Sequence, residues 1–308
     1  MSTDQPQPVA GGSPTPAAGP GSQPGGSGRR ALRAAAKPSR AGRNLPAAIA
    51  VGLALMAIVL VGLFLLPSTL VVVVAGFSAV GVWEVSRALT VKNIKVPLPP
   101  LFAGALAMPV AAYYGGPEGL AFALVATCVA LMVWKCLDST DGAVRSVLSG
   151  TFILCWVPFF ISFALLLLLE ESGALKVATM LLLVVSNDTF GYIVGVLFGK
   201  HPMAPKISPK KSWEGFAGSV CGAILVGVLC SVLLLDLQWW FGLVLAVATV
   251  AASTVGDLAE SMVKRELGIK DMSNILPGHG GVMDRLDSIV FAAPVAYLLA
   301  SLLAPGAV

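Results

Sequence analysis

What this chain has least of is charge: 12% of its 308 residues are Asp, Glu, Lys or Arg, while 56% are hydrophobic. With a mean hydropathy of +0.86 and repeated apolar runs of about 20 residues, ordinary soluble domains are excluded and the chain reads as an all-α, polytopic integral membrane protein. The five cysteines, Cys128, Cys136, Cys155, Cys221 and Cys230, are odd in number and scattered in or beside apolar runs. With no CxxC and no Cys/His spacing they exclude a zinc site and read as small packing residues. There is no GxxxxGK[ST], hence no Walker loop. The net charge of +4 says little by itself, and where the charges lie says more; no nucleic-acid partner is expected.

What is present divides into a tail, residues 1–43, and two groups of membrane helices, 44–172 and 173–308. The tail is rich in Pro, Gly, Ser, Ala and Gln and has almost no large apolar residue, so it cannot offset its ordering entropy by burial and is expected to be disordered. It ends in Arg29, Arg30, Arg33, Lys37, Arg40 and Arg43, a basic flank that orients the first span. Apolar runs set against punctuation predict nine spanning helices, at about 45–66, 69–90, 98–114, 119–136, 149–170, 174–198, 215–235, 239–257 and 285–304. Pro67 and Ser68 mark the first reversal, and Gly115, Gly116 and Pro117 the third. With the N-terminus inside, 19 of the 20 Lys and Arg fall on the cytoplasmic side and only Lys176 at an outer end. That asymmetry satisfies the positive-inside rule and puts the C-terminus outside. The expectation is a plasma (inner) membrane protein whose N-terminus and polar cavity face the cytoplasm.

Against this background each polar residue inside a span needs a reason. Asp188 lies well within the sixth helix, beside Ser186, Asn187, Thr189 and Tyr192. A lone carboxylate there costs roughly 2.5 kcal/mol or more, so it is either a hydrogen-bonded structural acid or part of a site. Gly191, Gly195 and Gly199 repeat every four residues, as a helix-packing stripe does. The following connection, HPMAPKISPKKSWEGFAG, carries Lys206, Lys210 and Lys211. These are positive-inside residues by composition, but Pro209 begins a turn and Ser212 is a plausible N-cap. A helix start beside three lysines makes a ready anion site, with phosphate the natural guest. Glu84 and Arg87, three residues apart in the second span, read as a structural pair on one helix face. Asp138, Asp141 and Arg145 read as solvated loop charge.

The densest charge follows the eighth apolar run. If that helix continues, Asp257, Glu260, Ser261 and Lys264 share one face. Pro277, Gly278, Gly280 and Gly281 then break it and free backbone amides for a ligand. The ninth span starts near Met283 and places Asp284 and Asp287 on one face. Asp257, Asp284 and Asp287 together form an oxygen-rich cluster suited to Mg²⁺ or a similar hard cation, against the alternative of ion pairing with Arg285 and Lys264. Acids, cations and a glycine turn are the parts that phosphoryl or nucleotidyl transfer requires. At the inner end of membrane helices they imply a soluble nucleotide and a lipid co-substrate. His279 is either a base or a phosphate hydrogen-bond donor.

This stretch closely resembles the signature of CDP-diacylglycerol synthases, also called phosphatidate cytidylyltransferases. The pattern is carried by Ser261, Lys264, Arg265, Lys270, Asp271, Ser273, Leu276, Pro277, His279, Gly280, Gly281, Asp284, Arg285 and Asp287, with every spacing kept. Asp188 with Tyr192 and Gly195 resembles the family's intramembrane acidic motif, and SPKKSWEG its lysine-rich loop. The likeness covers roughly Asp188 to Ser288; the first four spans match only in being apolar. It implies condensation of CTP with phosphatidate to CDP-diacylglycerol and pyrophosphate. Asp257, Asp284 and Asp287 would hold Mg²⁺ and a second cation such as K⁺. Lys264, Arg265, Lys210, Lys211 and His279 would meet phosphates. Ser212, Ser261, Lys270, Gly280, Gly281 and Arg285 would complete substrate binding, and Asp188 would shape the polar cavity or orient a basic partner. A homodimer is compatible with this reading. A transporter would explain Asp188 but not the signature, and no inverted repeat is visible. A CDP-alcohol phosphatidyltransferase would need the DGxxAR pattern, which is missing.

Overall fold

A computed structural model describes residues 45–138, 142–275 and 280–304. The expected tail, Asp141 and His279 lie outside the described residues. Among the described residues nine α-helices account for nearly everything: α1 (Leu45–Phe64), α2 (Pro67–Leu89), α3 (Leu98–Asp138), α4 (Ala143–Leu154), α5 (Phe160–Leu168), α6 (Gly173–Phe198), α7 (Trp213–Leu233), α8 (Trp239–Leu267) and α9 (Met283–Leu303). Seven helical stretches among the described residues are long and apolar enough to cross a membrane, and α1 adds a shorter apolar stretch, Gly52–Phe64.

The labels and the expected spans do not correspond one to one. At 41 residues, a straight α3 would be about 60 Å long, twice the hydrocarbon thickness. Gly116 breaks it with φ 63° and ψ −157°, a conformation open to glycine and closed to most L-residues. The halves fold back on each other, since a Cβ on Gly104 would lie 3.2 Å from the Thr127 hydroxyl and one on Gly119 2.6 Å from the Ala111 carbonyl. The expected third and fourth helices are therefore both present, joined by a reversal tighter than the sequence suggests. Conversely, α4 and α5 are one crossing, joined by a π-turn at Cys155–Phe159 around Pro158. Proline has no N–H to give the ladder, and the wider turn absorbs the loss. This crossing begins at Ala143, earlier than the expected 149.

Helix ends follow local chemistry. Pro67 opens α2, where its missing N–H costs nothing. Ser212 caps α7 by accepting from the Gly215 amide at 3.1 Å. Gly268, with φ 72°, closes α8. The helix α8 runs past the expected end at 257 to Leu267, so Asp257, Glu260, Ser261 and Lys264 do share a regular helix.

Small residues set the spacing of the C-terminal helices. A Cβ on Gly227 of α7 would lie 2.5 Å from the Gly242 carbonyl of α8, and one on Gly215 3.0 Å from the Gly191 carbonyl of α6. Backbones this close gain van der Waals contact that lipid cannot supply. The stripe containing Gly191 and Gly195 is the packing face it was read to be. At the far end Lys176 is buried, 3.6 Å from Glu170, which also accepts from Ser301 at 2.9 Å.

Two corrections touch the polar end. The connection between α6 and α7 is an antiparallel hairpin of β1 (Pro202–Ala204) and β2 (Ser208–Ser212), registered Pro202 to Ser212 and Ala204 to Ser208. It is the one departure from an all-α fold among the described residues, and Pro209 lies within β2 rather than starting a turn. Glu84 does not pair with Arg87. Arg87 lies over the Trp83 ring at 5.1 Å, while Glu84 points into the bundle.

Candidate active site

Three stretches distant in sequence meet at one end of the bundle. From α6, Asn187 and Asp188 turn toward α7, with the Asn187 amide donating to the Asp188 carboxylate at 3.0 Å and Ser219 donating to the Asn187 carbonyl at 2.6 Å. Strand β2 then brings Lys210 and Lys211 over the same place, and Lys211 Nζ lies 2.6 Å from Asp257 Oδ2 on α8. Between them lies an open cavity of about 270 Å³ lined by Asp188, Tyr192, Lys210, Lys211, Ser212, Thr254 and Asp257, among others. Gly191, Gly195 and Gly215 line it too, so the packing stripe also forms one wall where backbone is bare.

The hairpin is fastened rather than loose. Glu214, in the first turn of α7, accepts from the amides of Lys200 and His201 at 3.1 and 3.2 Å and meets the His201 ring Nδ1 at 2.5 Å. Arg265, near the end of α8, donates to the Ile207 carbonyl in the hairpin turn at 3.2 Å. The lysines of β2 are thus held over α8 from both sides.

A second cluster lies deeper. Lys264 bridges Glu260 at 2.7 Å and Asp284 at 2.9 Å, so α8 and the start of α9 are joined through one ammonium. Glu260 is fully buried. Asp284 also accepts from the amides of Met272 and Gly281 at 3.1 and 2.9 Å. Asp287 takes the Ser288 amide at 2.7 Å and lies within Coulombic reach of Asp257, Asp188 and Lys264. Ser261 donates to Asp257 at 3.3 Å. Arg285 is on the surface, yet within Coulombic reach of Asp188. Lys270 is exposed and outside the cavity lining.

Glu84 is the residue the sequence reading misplaced. It accepts from the amides of Val282 and Met283 at 2.9 and 2.7 Å and from the Ser273 hydroxyl, which fastens the signature loop and the start of α9 to α2. The signal was available: an acid inside a span demands a partner. Arg87, on the next turn, offered a nearer one. Asn187 and Thr254 were also missed, because neutral polar residues in a span carry little information by themselves.

The acids do not converge on one point. Among the described residues no three His, Cys, Asp or Glu are placed to hold one metal ion together. The donors are nevertheless all carboxylate or hydroxyl oxygens, as hard cations require. Mg²⁺ is ordinarily held by one or two carboxylates plus substrate phosphates and water. Asp257 and Asp287 meet that smaller demand, and the ammonium of Lys211 already occupies a cation's place beside Asp257.

Comparison with known proteins points to one family. A model of the cytidylyltransferase family matches residues 46–303. The phosphatidate cytidylyltransferase of Mycobacterium leprae is 42% identical over 293 residues, covering 89% of this chain and 94% of that protein. That of Mycobacterium tuberculosis is 40% identical over 282 residues, covering 87% and 86%. The phosphatidate cytidylyltransferase of Haemophilus influenzae is 43% identical over a shorter 127 residues, 40% of this chain and 44% of its own.

Proposed function

The chain belongs to the cytidylyltransferase family, and from that premise we propose that it condenses CTP with phosphatidate, giving CDP-diacylglycerol and pyrophosphate. The observation that carries the reading furthest is the Lys211–Asp257 contact across the cavity that also holds Asp188. It unites the lysine loop, the intramembrane acid and the signature helix in one place, at the end where a lipid headgroup and a water-soluble nucleotide can both arrive.

In the reaction a phosphate oxygen of phosphatidate attacks the α-phosphorus of CTP. The bond from that phosphorus to the bridging oxygen breaks, and pyrophosphate leaves with the electron pair. The nucleophile is already an anion, so no strong base is required, and catalysis reduces to alignment and charge neutralisation. Lys210 and Lys211, on a strand beside the N-terminus of α7, neutralise phosphates in the cavity. Because Lys211 is seated on Asp257, an arriving phosphate competes with a carboxylate for the same ammonium. Lys264 stays between Glu260 and Asp284 and presents its charge from below, while Arg265, Lys270 and Arg285 form the outer cationic rim. Asp188 orients Asn187 and restrains the adjacent cations.

Asp257 and Asp287 would hold Mg²⁺, which when bound supplies charge stabilisation to the transferring phosphoryl group. Asp284, engaged by Lys264 and two amides, would join them only as a shared ligand, and a second cation such as K⁺ would sit among the same acids. The membrane supplies phosphatidate. With the N-terminus inside, the cavity opens to the cytoplasm, where CTP is found, and the C-terminus lies outside. Helices α6 to α9 carry the chemistry, with α2 contributing Glu84. The test is purified protein in detergent given CTP, phosphatidate and Mg²⁺, followed for pyrophosphate and CDP-lipid. Metal-dependent formation of both is expected, and folded protein that makes neither overturns the reading.

A further inference from the structure

Glu84 is separated from two of its partners by 198 and 199 residues of chain, and it is fully buried. A carboxylate removed from water costs several kcal/mol unless donors replace the solvent. Here three donors do so: two amides at the start of α9 and the hydroxyl of Ser273. Those amides are the ones a helix leaves unsatisfied at its N-terminus, where the aligned peptide dipoles place about half a unit of positive charge. Glu84 therefore supplies from another helix the anion that the start of α9 requires.

The consequence falls on the acids of α9 itself. An Asp in the first turn commonly satisfies its own helix start. With Glu84 in that role, Asp284 is left to bridge Lys264 at 2.9 Å and the amides of Met272 and Gly281, and Asp287 remains within reach of Asp257. Gly281 shows how closely the parts are fitted. A Cβ there would lie 2.9 and 3.0 Å from the two oxygens of Glu84 and 2.9 Å from Oδ2 of Asp284, so the two acids approach one backbone from both sides and leave no room for a side chain. Between α2 and residues 269–275, which follow α8, lies an open cleft of about 520 Å³ along Trp83, Arg87 and Asn274, so packing alone does not hold this segment against α2.

We propose that Glu84 is a positioning residue for nucleotidyl transfer: by fastening Ser273 and the first amides of α9 to α2, it sets Asp284 against Lys264 and Asp287 near Asp257. This rests on the function proposed above. The first test is Glu84→Gln, which keeps the shape but turns one acceptor into an N–H facing an N–H. The expected result is a fall in kcat of about 10 to 100-fold, as sub-ångström to ångström misplacement produces, with KM for CTP within about twofold. Ser273→Ala removes one strand of the clamp. It lowers kcat less, and the double variant is no worse than Glu84→Gln, since both act on one element. Without substrates, Mg²⁺ raises the melting temperature of Glu84→Gln less than that of wild type.

A folded Glu84→Gln protein with kcat within twofold of wild type overturns the proposal. So do losses that vanish per folded molecule, or losses that add in the double variant. If Glu84→Gln does not fold, Ser273→Ala decides alone: a selective fall in kcat supports the clamp and wild-type kcat overturns it. Wild-type protein inert toward CTP and phosphatidate would sink the proposed reaction by itself, and the Mg²⁺-dependent melting shift would still decide whether the clamp orders the acids.

Discussion

Around the cavity Lys211 and Lys264 each meet acids, in opposite settings. Lys211 touches Asp257 at 2.6 Å with both side chains about a quarter to a third exposed, at 25% and 31%. Lys264 holds Glu260 and Asp284 at 2.7 and 2.9 Å, with exposures of 16% for the lysine and 0% and 9% for its partners. In the open pair water can replace either partner, so the contact contributes little to stability and can be exchanged for a ligand. In the closed set little water can reach the pairs, and removing the ammonium would strand the fully buried Glu260 carboxylate. The same chemical pairing is therefore exchangeable in one place and architectural in the other, and burial alone makes the difference.

The sharpest way to break this comparison is at the closed set. Lys264→Met should destabilise the detergent-solubilised protein by about 3 kcal/mol or more, the cost of leaving the buried Glu260 and Asp284 without their shared cation. A lowered thermal midpoint reads this out, and adding Glu260→Gln should recover much of the loss. If Lys264→Met melts like wild type, the closed set is not architectural. Next in size is Asp287→Asn, which keeps shape and removes the charge beside Asp257. Turnover should fall by about a hundredfold or more with the melting temperature little changed, and near-normal activity would remove Asp287 from the metal site. Smallest in stability but selective in function is Lys211→Met. Stability should change by less than about 1 kcal/mol, while kcat/KM for CTP turnover falls at least tenfold as a phosphate contact is lost. A stability loss as large as that of Lys264→Met would erase the distinction between the two pairs.

The way these sites are built separates what is local from what is not. Span positions, the Pro67 break before α2 and the Ser212 cap were all legible, because transfer energy and capping act within a few residues. The charged face of α8 was legible for the same reason: once the helix continues, a period of 3.6 places Asp257, Glu260, Ser261 and Lys264 together. The Gly116 reversal was expected as a break, but not as a hairpin so tight that its two halves count as one helix. The hairpin of β1 and β2 escaped notice because strands of three and five residues are too short for a period of two to register.

The sequence by itself determined that this is a multi-span membrane protein with a cytidylyltransferase signature and with its acids and lysines gathered into a few polar stretches. Only the tertiary structure decided the pairings: Lys211 with Asp257 rather than with solvent, Lys264 between two acids, and Glu84 on the start of α9 instead of on Arg87 one turn away. The physical reason is that hydropathy and caps are properties of a segment, whereas the partner of a buried charge depends on how far each helix is rotated and shifted against its neighbours. Here that is set by glycine contacts such as Gly227 against Gly242 and Gly215 against Gly191, which no single segment contains.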